Sequence, residues 1–339
     1  MSCDDGMLLL GWGKRRNLPT PDISGVNPQF YFPDYFLTKQ LPWFVYEQST
    51  TIEAKELQQL LPTGATTSSA SYQWHNPHKE IFRSAFDELQ QKFSTGEIAK
   101  AVPFVMESAM HTMDSELRLK TIKSLLTYVS SNPAYIYGFW DQTEGMLGAT
   151  PEILFRNLGN GALETVACAG TKRINEDTAT FLNDPKELHE HQLVIDGIIE
   201  SLRPFGEVKI GSMQLLKLTR LMHLFTPITV ELKTMPQIEE IVKALHPTPA
   251  VGGLPRTQAM QWLKAFQKKI DRRHFAAPAG YLLPKTRRSS CYVSIRNVQW
   301  NKTQMDICAG CGLVPGSQFE KEWAEINLKL SAIKELLSL

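Results

Sequence analysis

The stretch YIYGFWDQTEGMLGATPEILFRNLGNGALETVACA, residues 135–169, decides the fold class. Three runs rich in aromatic and aliphatic residues, Tyr135 to Trp140, Leu147 to Arg156 and Leu163 to Ala169, are punctuated by glycine turns. Runs of this length and spacing read as strands, joined in hairpin-like pairs. Outward from them the pattern changes period. Ile81, Phe82, Phe86, Leu89 and Phe93 lie at helical spacing, and Leu117 to Ser130 is a further helix, with a short apolar piece at Ala101 to Val105 between. Downstream, helices are expected at Pro185 to Leu202 and Gln318 to Leu336. Strand-like runs are expected at Glu207 to Gly211, Cys291 to Trp300 and Met305 to Ala309. Hairpin pairs mixed with helices predict an α/β protein of the α+β type, a layered fold with large antiparallel sheets.

The 339 residues allow one large unit or two merged ones, with a core that needs no staples. Residues 1–75 carry aromatic clusters but no chemical motif, and Thr63 to Ser71 reads as a loop. The division expected is a variable N-terminal segment, 1–75, merged into the fold, and a catalytic domain, 76–339. Thirty-six Lys and Arg against 35 acids leave a net charge of +1, without the basic excess that marks a nucleic-acid binder. The clusters at Lys14-Arg15-Arg16, Lys268-Lys269 with Arg272-Arg273, and Lys285-Arg287-Arg288 read as solvated surface. No apolar stretch approaches the ~18 residues of a membrane span. Five cysteines without a framework point to a reducing cytoplasm, and the lone Cys308-x-x-Cys311 pair does not make a zinc or redox motif.

Chemistry concentrates on two helices. Asp184-Pro185-Lys186-Glu187 combines a cap residue, proline at the first helical position and an acid in the first turn. Glu187 and Glu190, three apart, share one surface beside an apolar stripe of Leu188, Ile195, Ile198, Ile199 and Leu202. The last helix repeats the design. Ser317 with Glu320 reads as a capping box, and Glu322, Glu325 and Lys329 flank the stripe from Trp323 to Leu337. Two such acid pairs suit a hard cation such as Mg²⁺, and equally suit surface ion pairing, Glu325 with Lys329 included. His189 and His191 point to divergent faces, which argues against zinc. Gly310-x-Gly312-x-x-x-Gly316 precedes a helix but lacks the third glycine and the second strand of a dinucleotide site, although such amides hold carboxylates. Arg296, in the alternating run Tyr292 to Val298, either grips a carboxylate in bidentate fashion or pairs on the sheet.

Read in order, the motifs form a set. They are Gly96-Glu97-Ile98-x-Lys100, Gly148-Ala149-Thr150-Pro151-Glu152, Ala169-Gly170-Thr171 and Lys186-Glu187-x-x-Glu190-His191. His246 to Gly253, Ser294-Ile295-Arg296, Gly310-x-Gly312 and Gly316-Ser317 through Glu322-Trp323 to Lys329 complete it. From about residue 80 onward the chain resembles the chorismate-utilising enzymes: the isochorismate, salicylate, anthranilate and aminodeoxychorismate synthases. The likeness is greatest to isochorismate synthases of menaquinone and siderophore supply. The resemblance implies two packed antiparallel sheets with helices outside, Mg²⁺ as cofactor and chorismate as substrate. It implies Lys100 as the base that activates water and Glu152 as the acid that protonates the departing ring hydroxyl. It assigns Glu190 and Glu325 to the metal, Glu187 and Glu322 to supporting it, Arg296 and the Gly312 amide to the enolpyruvyl carboxylate, and Gly170 and Lys329 to the ring carboxylate and metal. A lysine base requires a desolvated or cation-adjacent setting.

Within that family, members that add ammonia usually have glutamine where this chain has Lys100, so water is the expected nucleophile and no glutaminase subunit is required. Aminodeoxychorismate synthases resemble one another in a lysine just before the Gly-Thr pair, which here is Ala169. Salicylate synthases, which go on to eliminate pyruvate, tend to threonine where this chain has Ala250. Many relatives have tyrosine in the segment matching Phe275 to Gly280, and Phe275 lacks that hydroxyl. The expected activity is isochorismate synthesis, an isomerase reaction, with salicylate synthesis or amination as the alternatives.

Overall fold

The run Leu147 to Arg156, expected to be one strand, is two strands in two different sheets. Gly145–Thr150 belongs to a five-stranded sheet and Ile153–Asn157 to a ten-stranded one. The computed structural model describes residues 1–3, 6–62, 72–75 and 78–339, so the expected loop at Thr63 to Ser71 lies outside the described residues. The smaller sheet runs Phe104–Ala109, Met305–Gly310, Asn297–Trp300, Gly145–Thr150, Tyr135–Trp140 in spatial order. The larger begins with Met7–Leu18, Trp43–Glu53 and Gln29–Tyr31, continues through Pro278–Leu283, Arg288–Val293, Ile153–Asn157 and Ala162–Arg173, and ends at Leu221–Leu232 and Gly206–Ile210. Gln214–Lys217 pairs with Leu221–Leu232 off that path, and Lys100–Ala101 pairs with Gly253–Leu254. Neighbours in both large sheets are antiparallel.

Strand alternation builds the layers. Leu9, Phe30, Phe44, Tyr281 and Tyr292 of the larger sheet meet Tyr137, Phe139 and Met146 of the smaller in one buried cluster, so the sheets pack face to face. The alternate residues, among them Leu8, Tyr31, Trp43, Leu147 and Ala149, join a second cluster with the helices Lys79–Ser94, Ser115–Val129, Pro185–Leu202 and Phe319–Leu337. The helices therefore lie outside the sandwich.

Cys291 to Trp300 is also two strands rather than the single expected run, Arg288–Val293 in the larger sheet and Asn297–Trp300 in the smaller. Between them Arg296 takes a left-handed backbone, φ 58°, so it stands at a break and not on the sheet. The two breaks lie side by side. Val293 N donates to Glu152 O at 3.1 Å, and Ala149 N donates to Arg296 O at 3.4 Å.

The helix from Pro185 to Leu202 starts as its sequence requires, with the Asp184 carboxylate accepting from the backbone N–H of Lys186 and Glu187. The last helix starts differently from expectation. Its cap residue is Gln318, without a side-chain cap, while Ser317 Oγ accepts from Val314 N and Glu320 pairs at the surface with Arg83. Ser317 stands one residue before the cap position, and its hydroxyl turns back to the preceding turn instead of onto the helix.

Candidate active site

Seven of the expected site residues, Glu152, Gly170, Glu190, Arg296, Gly312, Glu325 and Lys329, line one cavity of about 400 Å³. Glu187 and Glu322 instead face a neighbouring cavity of about 510 Å³, and Glu325 borders both. Lys100 lines neither. It is wholly buried, with its Nζ donating to Glu190 Oε1 at 2.9 Å.

Each group is placed by a local feature of the chain. Pro151 carries no N–H to continue a ladder, and the strand ends at Thr150, leaving Glu152 in the break between sheets. Glu152 is 4% exposed, and Thr248 Oγ1 donates to its Oε1 at 3.4 Å. Burial drives its carboxyl up to about 7, against the opposing pull of Thr248, Lys100 and Lys329. Near neutral pH it is thus about half protonated and able to give a proton. At Gly312 a Cβ would stand 2.0 Å from Glu190 Oε1, so only glycine lets the backbone approach the Lys100–Glu190 pair. Gly170 combines a positive φ of 73° with a virtual Cβ 2.9 Å from Glu187 Oε2, and the next amide, Thr171 N, donates to that oxygen at 3.3 Å.

The acids gather around an ammonium. Lys186 Nζ lies 3.3 Å from Glu187 Oε1, 3.4 Å from Glu190 Oε2 and 3.2 Å from Glu322 Oε1. Burial pushes Glu187 up to about 7, partly offset by Lys186. Burial acts the same way on Glu190 but loses to Lys100 and Lys186, which hold it down at about 2. Glu322 is raised by burial, with Lys186 opposing. Lys329 Nζ donates to Glu325 Oε1 at 2.8 Å and to Gly310 O at 2.9 Å. Burial disfavours its charge, but Glu325 more than compensates and the ammonium stays above its ordinary range.

This donor set fits a hard divalent cation. It consists of carboxylate oxygens, and Glu322 Oε2 is buried with no hydrogen-bond partner among the described residues. Among those residues no three acids, histidines or cysteines are already gathered at ligand spacing. Magnesium commonly takes one or two carboxylates and completes its shell with water and ligand oxygens, so two acids suffice.

Comparison with known protein families matches residues 38–338 to the family described as chorismate binding enzyme. The chain belongs to the chorismate binding enzymes. It is 40% identical over 201 residues to the salicylate biosynthesis isochorismate synthase of Pseudomonas aeruginosa, covering 57% of this chain and 42% of that one. It is 35% identical over 208 residues to the isochorismate synthase MenF of Pasteurella multocida, covering 58% and 47%. The chain thus spans less than half the length of these two relatives. The solved structure of MenF, the menaquinone-specific isochorismate synthase from Escherichia coli, superposes with a TM-score of 0.79 at 21% identity over 98% of this chain and 86% of that one, a likeness of fold.

Four residues of this cavity and its surroundings escape a reading from sequence. Arg296 Nη2 donates to His223 Nε2 at 2.6 Å, and Nη1 donates to the Tyr128 hydroxyl at 3.3 Å. His223 Nδ1 faces Gly170 O at 3.0 Å. Since the carbonyl only accepts and the guanidinium only donates, the proton is on Nδ1. Burial and the adjacent guanidinium keep the ring neutral by lowering its pKa well below the usual value. The third is Thr248 on Glu152, and the fourth is Lys186 amid the acids. His223 had a signal, a single polar residue within the apolar run Leu221 to Phe225. Tyr128, at the end of an amphipathic helix, had none.

Among the described residues no helix is long and apolar enough to cross a membrane.

Proposed function

We propose that this protein is an isochorismate synthase, a cytoplasmic Mg²⁺-dependent isomerase that converts chorismate to isochorismate for menaquinone or siderophore precursors. The observation that carries the reading is Glu152, a buried carboxyl raised to about 7, in the same cavity as Arg296, Lys329 and the acids Glu190 and Glu325. A general acid is best matched to its task when its pKa lies near the working pH. The catalytic part is residues 76–339, which hold every assigned group, with 1–75 a variable segment.

In this reading Arg296 receives the enolpyruvyl carboxylate. His223 and Tyr128 each occupy one N–H of its fork, and three of the five N–H groups remain for the ligand. The Gly312 amide shares that carboxylate, while Gly170 and Lys329 flank the ring carboxylate. Lys100 would act as the neutral amine, released from its ion pair with Glu190 when that carboxylate turns to the metal. The amine accepts a proton from water as the water oxygen bonds to C2, the ring π electrons shift, and the C4–O bond breaks with Glu152 protonating the departing oxygen. Glu190 and Glu325 would hold Mg²⁺, with Glu187 and Glu322 supporting it, and the ion would neutralise and orient the ring carboxylate. Water as nucleophile needs no glutaminase partner.

The test is to incubate purified protein with chorismate and Mg²⁺ and separate the products chromatographically. Isochorismate is expected, it should vanish in Lys100→Ala, and ammonium salts should yield no aminated product. Stoichiometric pyruvate with salicylate would replace this reading by a salicylate synthase. An aminated product, or activity surviving Lys100→Ala, would replace it by an aminating enzyme.

A further inference from the structure

The cavity has a charged rim that the proposed chemistry does not use. Arg220 and Glu335 both line it, and both are about half exposed, 56% and 49%, whereas Glu152 and Glu190 are 4% and 6% exposed. The two form an ion pair that spans from the turn Leu218 to Leu221 to the last helix. The backbone under Arg220 is fixed. Leu218 is buried, its N–H closes the turn onto Leu221 O at 2.8 Å, and Ile174 N donates to Arg220 O at 2.9 Å. Thr219 Oγ1 donates to Asn132 Oδ1 at 3.3 Å, tying the same turn to the end of the helix Ser115–Val129. The side chain of Arg220 can therefore change partner without the turn moving.

We propose that Arg220 is the capture residue of this cavity, exchanging Glu335 for a carboxylate of an incoming dianionic substrate, which is chorismate if the function proposed above holds. An exposed ion pair contributes little net stability, so releasing Glu335 costs little. The guanidinium fork matches a carboxylate in shape and charge. With a net charge of only +1, the chain as a whole supplies little long-range attraction, so an anion is drawn mainly by the cavity's own cations Arg220, Arg296 and Lys329, of which Arg220 is exposed. Glu335 then acts as a competitor that occupies Arg220 until the substrate arrives.

A pair that merely staples the turn to the helix and a pair that competes for substrate give different signs. The experiment measures kcat and kcat/KM for chorismate in the Mg²⁺-loaded enzyme, with Glu335→Gln and Arg220→Gln, at low and high salt. Capture by Arg220 raises kcat/KM about threefold in Glu335→Gln and lowers it at least about threefold in Arg220→Gln, with kcat unchanged in both. Both differences shrink as salt is added. If both variants fall together, or neither departs from the wild type, Arg220 is not a capture residue. Those results leave the assignment of function standing, because the wild-type enzyme still converts chorismate. A wild-type protein that neither binds nor converts chorismate overturns both.

Discussion

Gly312→Ala adds one methyl group at the point where the backbone meets the Lys100–Glu190 pair. The new Cβ would lie 2.0 Å from Glu190 Oε1, 2.8 Å from its Cδ and 3.0 Å from Lys100 Cε. Ordinary contact begins near 3.4 Å, so Oε1 has to retreat by about 1.4 Å. That retreat takes it out of the 2.9 Å bond to Lys100 Nζ. The obstructing atoms are the ends of flexible side chains, so the fold gives way cheaply, with a loss of about 1–3 kcal/mol typical of overpacking. The chemistry does not. A displacement of about 1 Å in a catalytic group is commonly worth ~10²-fold in rate, or about 2.7 kcal/mol. Gly312→Ala should therefore remain folded by circular dichroism while kcat/KM for isochorismate formation falls about 100-fold. Gly316→Ala is the control, since its backbone is left-handed, φ 88°, unlike that of Gly312, but nothing lies within 4 Å of its Cβ. It should cost about 1–2 kcal/mol of stability from backbone strain and leave turnover intact. Wild-type kcat/KM in Gly312→Ala, or an equal loss in Gly316→Ala, would refute the steric argument.

Glu152→Gln should lower turnover ~10²–10⁴-fold while chorismate still binds. Because burial raises the Glu152 carboxyl from 4.5 to about 7, its contribution to stability is present below pH 4.5 and lost as pH rises through about 7. The difference in unfolding free energy between wild type and Glu152→Gln should accordingly drift across that window, and a flat difference would show the carboxyl to be unperturbed. Arg296→Lys removes the fork held by Tyr128 and His223 and should cost at least ~2 kcal/mol in kcat/KM; unchanged kinetics would make Arg296 structural. Chelation, Glu190→Gln and Glu325→Gln should each abolish turnover, and Mg²⁺ should raise the Tm of the wild type but not of the two variants. Full activity in excess chelator would remove the metal from the scheme.

What the sequence disclosed followed from how local the cause was. The helix from Pro185 to Leu202 has both ends as expected because Asp184 and Pro185 act within one turn. The last helix was misplaced at its start by one residue, because Ser317 is bonded to Val314, a preference that no capping pattern encodes. The strand breaks were hidden for another reason. Residues on both sides of Pro151 and of Arg296 are buried in one sheet or the other, so the apolar pattern continues while the chain changes layer. Pro151 was the available clue, since proline is excluded from central ladders. Nothing in the identity of Arg296 announces a left-handed backbone. The acids were recognisable as pairs on two helices, but their common ammonium, Lys186, emerges only when the helices meet.

The paired strand breaks also set a mechanical condition. Glu152 and Arg296 ride on the two adjacent segments that cross from one sheet to the other, cross-linked by the Val293–Glu152 and Ala149–Arg296 hydrogen bonds. Any shear of one sheet over its partner must pass through these segments and change where the carboxyl and the guanidinium point. The layer of Phe30, Phe44, Tyr281, Phe139 and Met146 that resists such slippage therefore determines how that carboxyl and guanidinium are aligned, as well as stability, though none of these five side chains borders the cavity.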